Sequence, residues 1–373
     1  MPIATLPVIH GRGRYDVQVG AGALARLPAV LAERAPSARA VVLADQAVLA
    51  HLSAWERGGG PWGALGLPLR AAAQLAVPSG EAAKTRDTWA ELTDRLLDLG
   101  VGRDAVLVAV GGGVTGDLAG FVAATYLRGI PLLQAPTTLL AMVDASVGGK
   151  VGVDTRHGKN LVGAFHPPIA VLADTATLAT LPARELRGGL VEALKHGLVA
   201  DASYLDWIED RLALLLGGDP EALAGLVEGS VRIKAAIVGE DEHERGRRAV
   251  LNAGHTVAHA LEHVSGYALH HGEAVGLGLV AEGVMAESLG LDPGVTQRMA
   301  SLLVRAGLST RLAQPLPAEA VRAAMATDKK ARAGLVRFAL PEAVGRMQPG
   351  DGRWTVPLGD AVIARGLAAI GCA

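Results

Sequence analysis

The chain is poor in the residues that mark secreted, nucleic-acid-binding and membrane proteins. Its single cysteine, Cys372, can form neither an internal disulfide nor a thiolate metal cluster, which indicates a reducing compartment. A net charge of −2 provides no general basic field for nucleic acid or anionic lipid. The N-terminus lacks a basic and then apolar signal pattern, and Pro136, two threonines and Asp144 interrupt the apolar run 130–149. We therefore expect a cytoplasmic protein with small-molecule partners, without nucleic acid and without a membrane.

Lysine and asparagine are also scarce. Only seven of the 35 Lys and Arg residues are lysines, and the chain has two asparagines, Asn160 and Asn252. Arginine and lysine are not interchangeable, so each lysine that remains marks a candidate position for a compact, mobile ammonium group. The alternative for any single lysine is that it was retained by chance and has no special role. The seven are Lys84, Lys150, Lys159, Lys195, Lys234, Lys329 and Lys330.

Length and composition indicate a folded protein of two domains. A chain of 373 residues exceeds what one hydrophobic core usually organises, and its 50% hydrophobic residues exclude a disordered chain. In the first half, short β-branched runs alternate with helical periodicities, which is typical of parallel α/β units. The predicted strands are 40–44, 74–77, 105–110, 131–135 and 169–173, and the predicted helices are 22–34, 84–99 and 115–127.

From about residue 181 the periodicity becomes helical throughout. The predicted helices are 184–199, 202–215, 221–238, 256–263, 272–289, 295–306 and 318–327. We therefore predict an α/β N-terminal domain with a mostly parallel sheet over 1–180 and an all-α C-terminal domain over 181–373. The stretch 56–66 is predicted to be a surface loop, because three glycines precede Pro61 in it.

A glycine-rich turn follows the predicted strand 105–110. Gly111, Gly112 and Gly113 lead into a helix that contains Gly116 and Asp117. Glycines at such a turn let backbone N–H groups approach a phosphate at the positive end of the helix. The turn therefore suits a pyrophosphate, while a tight turn made only for packing is the alternative.

Polar residues end two of the predicted strands. Thr137 and Thr138 follow one strand, at the carboxyl edge where open parallel sheets bind ligands. Asp45 ends an earlier strand, where it can accept a hydrogen bond from a ribose hydroxyl or cap the next helix. The sequence leaves both roles of Asp45 open.

Lysine and asparagine concentrate between residues 144 and 160. Lys150, Lys159 and Asn160 follow Asp144 within 17 residues and are interleaved with glycines. Ammonium and amide groups that converge on glycine-rich backbone favour an oxyanion of the phosphate type. A solvated loop is the alternative.

The second half carries a candidate metal site. Five of the eleven histidines lie between His255 and His271, and His255 and His259 are four residues apart, which by itself suggests a two-histidine metal face. Glutamate does not follow His255, so the H-E-x-x-H pattern is excluded. Glu192 and Lys195 share one face of another apolar helix, where they form either part of a site or a plain salt bridge. One carboxylate and two imidazoles form an ordinary catalytic zinc set.

Cationic and amide side chains precede these histidines. Arg247, Arg248 and Asn252 lie one or two helical turns before His255. An arginine there favours an anionic substrate. The pair Lys329 and Lys330 follows a predicted helix further along the chain.

Taken together, these motifs resemble the 3-dehydroquinate synthases of the sugar-phosphate cyclase group. The resemblance runs from about Asp45 to Gly345, most of the chain. The motifs that carry it are Ser79-Gly80-Glu81-x-x-Lys84, Gly111-Gly112-Gly113-x-x-Gly116-Asp117, Pro136-Thr137-Thr138, Asp144-x-Ser146-x-Gly148-Gly149-Lys150, Gly158-Lys159-Asn160, Leu251-Asn252-x-Gly254-His255-Thr256 and His271-Gly272-Glu273-Ala274-Val275.

The resemblance implies a dinucleotide-binding first domain that binds NAD and a second domain that binds substrate and Zn²⁺ or Co²⁺. It implies Glu192, His255 and His271 as the three metal ligands, and it makes His259 a substrate contact instead. The implied NAD-contacting residues are Asp45, Glu81, Lys84, Gly112, Gly113, Asp117, Thr137, Thr138, Lys159, Thr180 and Glu185.

The resemblance also implies a phosphorylated sugar acid as the substrate. The implied substrate-binding residues are Asp144, Lys150, Asn160, Lys195, Lys234, Arg248, Asn252 and one of Lys329 or Lys330. Arg128 is implied to reach a phosphate across the interface of a homodimer. We expect a stand-alone enzyme rather than part of a fused polypeptide.

The implied activity is that of a carbon–oxygen lyase of the shikimate pathway, which makes aromatic amino acids. It converts 3-deoxy-D-arabino-heptulosonate 7-phosphate to 3-dehydroquinate and phosphate through transient NAD-dependent oxidation, β-elimination, reduction and intramolecular aldol closure. The alternatives are another cyclase, of the 2-epi-5-epi-valiolone, 2-deoxy-scyllo-inosose or amino-dehydroquinate type, a metal-dependent polyol dehydrogenase, and a non-catalytic metal-binding module.

Overall fold

The chain forms two compact units. The computed structural model describes residues 2–11, 13–49, 51, 74–327 and 336–373. The first unit is Met1–Leu181 with Pro220–Gly239, and the second is Pro182–Asp219 with Glu240–Ala373. The predicted loop 56–66 and the pair Lys329 and Lys330 lie outside the described residues.

Strands and helices alternate in the first part of the chain, and helices dominate the rest. The strands are β1 (Ala4–His10), β2 (Gly13–Val19), β3 (Arg39–Asp45), β4 (Gln74–Val77), β5 (Ala105–Gly111), β6 (Leu132–Pro136), β7 (Lys150–Thr155), β8 (Gly158–Phe165), β9 (Ala170–Ala173), β10 (Arg337–Phe338), β11 (Pro341–Ala343), β12 (Arg346–Met347) and β13 (Val356–Pro357). The main α-helices are α1 (Leu27–Arg34), α2 (Arg86–Asp98), α3 (Gly113–Thr125), α4 (Ala183–Ala200), α5 (Ala202–Leu216), α6 (Pro220–Glu240), α7 (His255–Val264), α8 (His271–Glu287), α9 (Pro293–Arg305), α10 (Ala318–Thr327) and α11 (Asp360–Ala369).

A seven-stranded sheet forms the centre of the first unit. Its strand order is β1-β2-β9-β6-β5-β3-β4, and every pairing is parallel except that of β1 with β2. All residues of β5 are buried, as expected for a continuous apolar run in the middle of a parallel sheet. Each of the five predicted strands is present. β1 was not predicted because most of its residues are at least partly exposed and Pro7 interrupts it, which an edge position tolerates.

One part of the first unit differs from the predicted domain division. The helical segment 220–239 is grouped with the sheet, whereas its position in the sequence had placed it in the second domain. Periodicity shows that a helix has an apolar face, but it does not show which element covers that face. The helix itself was predicted as 221–238 and is observed as Pro220–Glu240.

A separate hairpin is formed between residues 150 and 165, where the sequence predicted no strands. β7 and β8 pair antiparallel, and β7 packs against α3. Val151 lies so close to Gly120 of α3 that a β-carbon on Gly120 would collide with it. Most residues of β8 are exposed, so its apolar periodicity is weak and the strand was not predicted.

The second unit is mostly helical, as predicted, with the short strands β10 to β13 in addition. Its buried helix α8 contacts α4, α7, α9 and α11. Two of these contacts are close because the residues there are glycines, which have no side chain. A β-carbon at Gly272 would collide with the backbone of Gly188, and one at Gly278 would collide with the carbonyl of Gly254. Glycine therefore lets α8 approach α4 and the start of α7 backbone to backbone.

The observed architecture confirms the predicted combination of a mostly parallel α/β part and a helical part. Over the ranges that the structure describes, none of the helices is both long enough and apolar enough to cross a membrane.

Candidate active site

The glycine turn between β5 and α3 is crowded by polar side chains. A β-carbon at Gly111 would lie 2.7 Å from Thr115 Oγ1 and 2.9 Å from Asp45 Cβ, and one at Gly112 would lie 3.2 Å from Thr138 Cγ2. The N–H of Thr137 donates to the carbonyl of Gly111 at 2.9 Å. The structure thus brings together three regions that the sequence predicted separately.

Asp45 makes the capping contact that the sequence had left open. Its Oδ1 accepts from the N–H of Ala47 at 2.8 Å and from Ser79 Oγ at 2.5 Å. Its Oδ2 lies 3.4 Å from Thr115 Oγ1. Three groups, the N–H of Ala47 and the hydroxyls of Ser79 and Thr115, therefore hold the Asp45 carboxylate in place at the carboxyl edge of the sheet.

A cluster of charged side chains lies beside this turn. Lys84 Nζ is 2.5 Å from Asp117 Oδ2, and Lys159 Nζ is 3.3 Å from Glu81 Oε1. Burial alone would lower the pKa of Lys84, but Asp117 and Glu81 outweigh it and raise that pKa above its usual value. Burial would likewise raise the pKa of Glu81, and Lys84 and Lys159 outweigh it and lower that pKa. Four residues of the implied NAD-contacting set therefore form one charged network.

Asp154 belongs to the same network, although the sequence did not single it out. Burial and the neighbouring Glu81 raise its pKa to about 6, against the opposing charge of Lys84. Its Oδ1 accepts from the N–H of Asn160 at 2.9 Å, and Asn160 has a φ of 53°. This left-handed conformation is uncommon for a residue other than glycine, and the Asp154 carboxylate stabilises it.

The backbone that precedes Lys150 is held by a tyrosine from near the N-terminus. Gly148 and Gly149 have φ values of 101° and 67°, which favour glycine. The hydroxyl oxygen of the buried Tyr15, on β2, accepts from the N–H of Gly148 at 2.9 Å. Tyr15 is a residue that sequence reasoning missed, because nothing local links β2 to position 148.

The remaining implied residues of the first unit fall into three groups. Lys234 of α6 lies 2.5 Å from Asp144 Oδ1 and is almost buried. Arg128 and Thr180 are exposed, and Arg128 has a φ of 70°. The structure places Lys150 at the start of β7 and Asn160 on β8, on the two strands of one hairpin.

Glu192, His255 and His271 converge in the second unit. One ligand atom of each lies within 4.8 Å of the others. His255 Nε2 is 3.5 Å and His271 Nε2 is 3.6 Å from Glu192 Oε1. Two ligands about 2.1 Å from a tetrahedral zinc ion lie roughly 3.4 Å apart, so both distances suit one ion. The donor set of two imidazoles and one carboxylate also leaves coordination positions for substrate.

Neighbouring groups fix which atoms of these ligands face each other. Lys195 Nζ is 2.5 Å from Glu192 Oε2, so the ammonium group occupies the other carboxylate oxygen. The predicted pairing of Glu192 with Lys195 is present, and both side chains are almost fully buried. His255 Nδ1 lies 3.1 Å from the carbonyl of Ala253, to which it can only donate, and Nε2 is thereby left as the lone-pair atom.

Charges around the two histidines act in opposite directions. Burial and the charge of Lys195 lower the pKa of His255 well below its usual value. Burial would also lower the pKa of His271, but Glu192 and Glu262 outweigh it and raise that pKa to about 9. The site is therefore rich in negative charge on the His271 side, which is a suitable environment for a divalent cation.

His259 is near this set but is not part of the convergent group of ligands. Its ring centre lies 5.5 Å from that of His255 and 6.4 Å from that of His271. The spacing of His255 and His259 suggested that these two form a metal face. The observed group instead combines His255 with Glu192 and His271, which come from other helices.

A buried arginine and an amide side chain precede α7. The buried Arg248 donates through Nη1 to the carbonyl of Glu242 at 2.5 Å, and its N–H donates to Asp241 Oδ2 at 3.1 Å. Asn252 Nδ2 donates to Glu244, which has a φ of 55°. Glu244 is a further residue that sequence reasoning missed, since a single glutamate in a polar segment carries no pattern.

Glu185 lies in the second unit, on α4, although the resemblance had grouped it with NAD-contacting residues that belong mostly to the first. His270 Nε2 lies 3.2 Å from Glu185 Oε1. Next to it, Arg184 donates to both carboxylate oxygens of Glu273 at 2.8 Å. These two pairs join the start of α4 to the start of α8, on which His271 is the first residue.

Comparison with known proteins identifies the family. Residues 74–188 match the family model described as 3-dehydroquinate synthase N-terminal, and residues 189–331 match that described as 3-dehydroquinate synthase C-terminal. The 3-dehydroquinate synthase of Caulobacter vibrioides is 46% identical over 358 residues, which cover 92% of this chain and 94% of that protein.

Solved structures of related cyclases share the fold. A structure of 2-deoxy-scyllo-inosose synthase with carbaglucose-6-phosphate, NAD⁺ and Co²⁺ matches with a TM-score of 0.87 and 24% identity over 98% of this chain and 99% of that one. 2-epi-5-epi-valiolone synthase from Streptomyces hygroscopicus subsp. jinggangensis, with NAD⁺ and Zn²⁺ bound, matches with a TM-score of 0.79 and 30% identity over 99% and 98%. Because both family models match, over residues 74–331, and a relative is 46% identical over 92% of the chain, the chain belongs to the 3-dehydroquinate synthase family.

Proposed function

We propose that this chain converts 3-deoxy-D-arabino-heptulosonate 7-phosphate to 3-dehydroquinate and phosphate in the shikimate pathway. The observation that carries the proposal is the convergence of Glu192, His255 and His271 in a unit that largely coincides with the family's C-terminal model. The relative from Caulobacter vibrioides, named for this activity, aligns along nearly the whole chain.

Two bound groups complete the proposed site. Zn²⁺ or Co²⁺, held by Glu192, His255 and His271, supplies Lewis-acid polarisation of substrate hydroxyl oxygens. NAD supplies a hydride acceptor that is regenerated in each turnover. The bound groups named for the two cyclase structures, NAD⁺ with Co²⁺ or Zn²⁺, support this assignment. The residues assigned to NAD are Asp45, Glu81, Lys84, Gly112, Gly113, Asp117, Thr137, Thr138, Lys159, Thr180 and Glu185.

The second unit binds the ion and part of the substrate. Lys195 neutralises Glu192 Oε2 and leaves Oε1, the oxygen that both histidines face, for the ion. Arg248 is buried and carries a planar guanidinium group that matches a carboxylate, so we assign it to the substrate carboxylate. Asn252 and His259 are assigned to substrate hydroxyl groups.

The first unit binds the phosphate that leaves. Lys150 and Asn160 on the hairpin provide an ammonium and an amide donor, which suit a phosphate oxyanion. Donors held in place before the reaction stabilise the charge that develops on the leaving group. Lys234 and Asp144, which pair with each other, are assigned to the substrate as well. One of Lys329 or Lys330 completes the set.

The active form is proposed to be a cytoplasmic homodimer. Arg128 is exposed at the surface of its own unit, which supports a role toward the phosphate bound by a second copy. The free cysteine Cys372 agrees with a reducing compartment.

The deciding experiment combines the purified chain, NAD, Zn²⁺ and the heptulosonate phosphate. Equal amounts of phosphate and dehydroquinate without net NADH are expected. Equal turnover of a sugar phosphate that lacks a carboxylate would favour a related cyclase, and accumulation of NADH would favour a polyol dehydrogenase.

A mixing experiment tests the role of Arg128 in the dimer. Arg128→Ala and Lys150→Ala should each be nearly inactive alone. If Arg128 acts on the partner's substrate, random mixing gives half hybrids with one intact site each, and about a quarter of wild-type activity returns. If Arg128 acts within its own subunit, the mixture stays inactive.

A further inference from the structure

A buried carboxylate lies behind one of the three metal ligands. Glu262 of α7 is 2% exposed, and its Oε1 lies 3.4 Å from Nδ1 of His271. The other ring nitrogen of His271, Nε2, faces Glu192 Oε1. Glu262 therefore contacts His271 from the side opposite the metal ligands.

The position of Glu262 follows from the helix geometry. Glu262 is seven residues after His255, so both lie on the same face of α7 after two helical turns. α7 and α8 pack against each other, and His271 is the first residue of α8. One face of α7 thus provides a metal ligand, His255, and the carboxylate that contacts a second ligand on the neighbouring helix.

The two histidines are held by different kinds of acceptor. His255 Nδ1 faces a backbone carbonyl, that of Ala253, whereas His271 Nδ1 faces a carboxylate. A carbonyl orients the ring, and a carboxylate also makes the imidazole a stronger electron donor to a cation. A glutamate with so little exposure is costly to bury, so its partner must offset that cost.

We propose that Glu262 is a positioning residue that accepts a hydrogen bond from Nδ1–H of His271 and thereby presents the Nε2 lone pair to the metal ion. This role rests on the proposed metal site and adds a residue to it. Because partners of this kind typically contribute 10–100-fold to metal affinity, removal of the Glu262 carboxylate should weaken metal binding by that factor.

The test measures Zn²⁺ and Co²⁺ affinity of the full-length chain by competition with a chelator, without reference to turnover. Glu262→Gln keeps the shape of the side chain but removes its charge, and we expect about 10-fold weaker binding. Glu262→Ala should bind up to about 100-fold more weakly. The absorption bands of the bound Co²⁺ should shift in both variants, since the orientation and donor strength of one imidazole change.

Glu282→Gln is the matched control. Glu282 is a glutamate of α8 that is 1% exposed, and its Oε2 accepts from the N–H of Gly254 at 2.7 Å. An amide oxygen can accept the same bond, so this variant should keep the wild-type metal affinity and Co²⁺ spectrum. Thermal unfolding of the metal-free proteins shows whether each variant is folded.

The outcomes separate this role from the proposed function. If folded Glu262→Gln binds Zn²⁺ as tightly as the wild type and leaves the Co²⁺ spectrum unchanged, the role of Glu262 is wrong while the metal site stands. If the wild type itself binds neither ion, the proposed metal site is wrong and Glu262 has no ligand to position. If Glu262→Ala does not fold, the Gln variant decides.

Discussion

Lys234 and Asp144 are 90 residues apart in the chain, and their side chains form an ion pair of 2.5 Å in the first unit. Lys234 Nζ also donates to the backbone carbonyl of Asp144. Lys234 lies on α6, whereas Asp144 lies in the π-helical turn Ala141–Ala145 that follows β6. This contact joins the segment 220–239 to the unit that contains the sheet.

Loss of this pair should destabilise the protein. Lys234→Met leaves the carboxylate of Asp144, which is 24% exposed, without its ammonium partner. Breaking a fully buried ion pair costs roughly 3–5 kcal/mol. Because Asp144 is partly exposed, we expect the free energy of unfolding to fall by about 2 kcal/mol. Urea unfolding measures the change. The control is Arg232→Met on the same helix, whose 65% exposed side chain pairs with Glu228 and should contribute at most about 0.5 kcal/mol. Equal losses in both variants would contradict the prediction.

Glu192→Gln should remove most of the stabilisation that bound metal provides. At a Zn²⁺ concentration 100 times the wild-type Kd, bound ion stabilises the wild type by about 2.7 kcal/mol. A 100-fold weaker site would retain only about 0.4 kcal/mol of that effect. Unfolding with and without Zn²⁺ gives the difference directly. The control is Glu185→Gln, on the same helix, whose side chain pairs with His270 instead. This variant should keep the full stabilisation by Zn²⁺. If the Glu192 variant also keeps the full stabilisation, the ion binds elsewhere.

Tyr15→Phe should affect both stability and substrate binding. The variant removes the oxygen that accepts from Gly148 N–H, and an unsatisfied buried donor costs about 1–3 kcal/mol. Because Gly148 precedes Lys150, we also expect a higher KM for the phosphorylated substrate. The control is Tyr126→Phe, which also removes a buried hydroxyl, one that donates to the Val101 carbonyl at 2.7 Å. This variant should lose stability without a change in KM. A Tyr15 variant that loses stability but keeps its KM would assign Tyr15 to folding alone.

Asp154 should give stability a defined pH dependence. Its pKa of about 6 in the folded protein lies above the ordinary value of 3.8. Its contribution to stability is therefore complete below about pH 4 and is lost as the pH rises through about 6. Asp154→Asn keeps an acceptor for Asn160 N–H and removes the titration, so its stability relative to the wild type should increase across this window.

Urea unfolding at a series of pH values measures this difference, and Asp241→Asn provides a control of opposite sign. Burial would raise the pKa of Asp241, but backbone N–H groups of Arg245, Gly246 and Arg248 outweigh it and lower that pKa. Its contribution is present above the unfolded pKa and is lost at lower pH, so Asp241→Asn should become less stable relative to the wild type as the pH rises. A difference for Asp154→Asn that does not change with pH would rule out the assigned shift.

Much of this molecule follows from local patterns in the sequence. The apolar run of β5 and the glycines after it predicted a buried strand, a tight turn and a helix, and all three are present. The helices that the sequence predicted after residue 181 begin and end within a few residues of their observed bounds, whereas α11 (Asp360–Ala369) was not predicted. The scarcity of lysine drew attention to Lys84, Lys195 and Lys234, and each of these is almost buried and paired with a carboxylate.

Tertiary structure decided which of these residues meet. Local spacing favoured His255 with His259, because four residues make one helical turn, but it carries no information about ligands on other helices. The approach of α8 to α4, which Gly188 and Gly272 allow, brings His271 toward Glu192 instead. Tyr15, Asp154 and Glu262 were missed for the same reason. Each acts through one hydrogen-bonded contact with a residue on another element, and such contacts depend on how the elements pack rather than on the periodicity within any one of them.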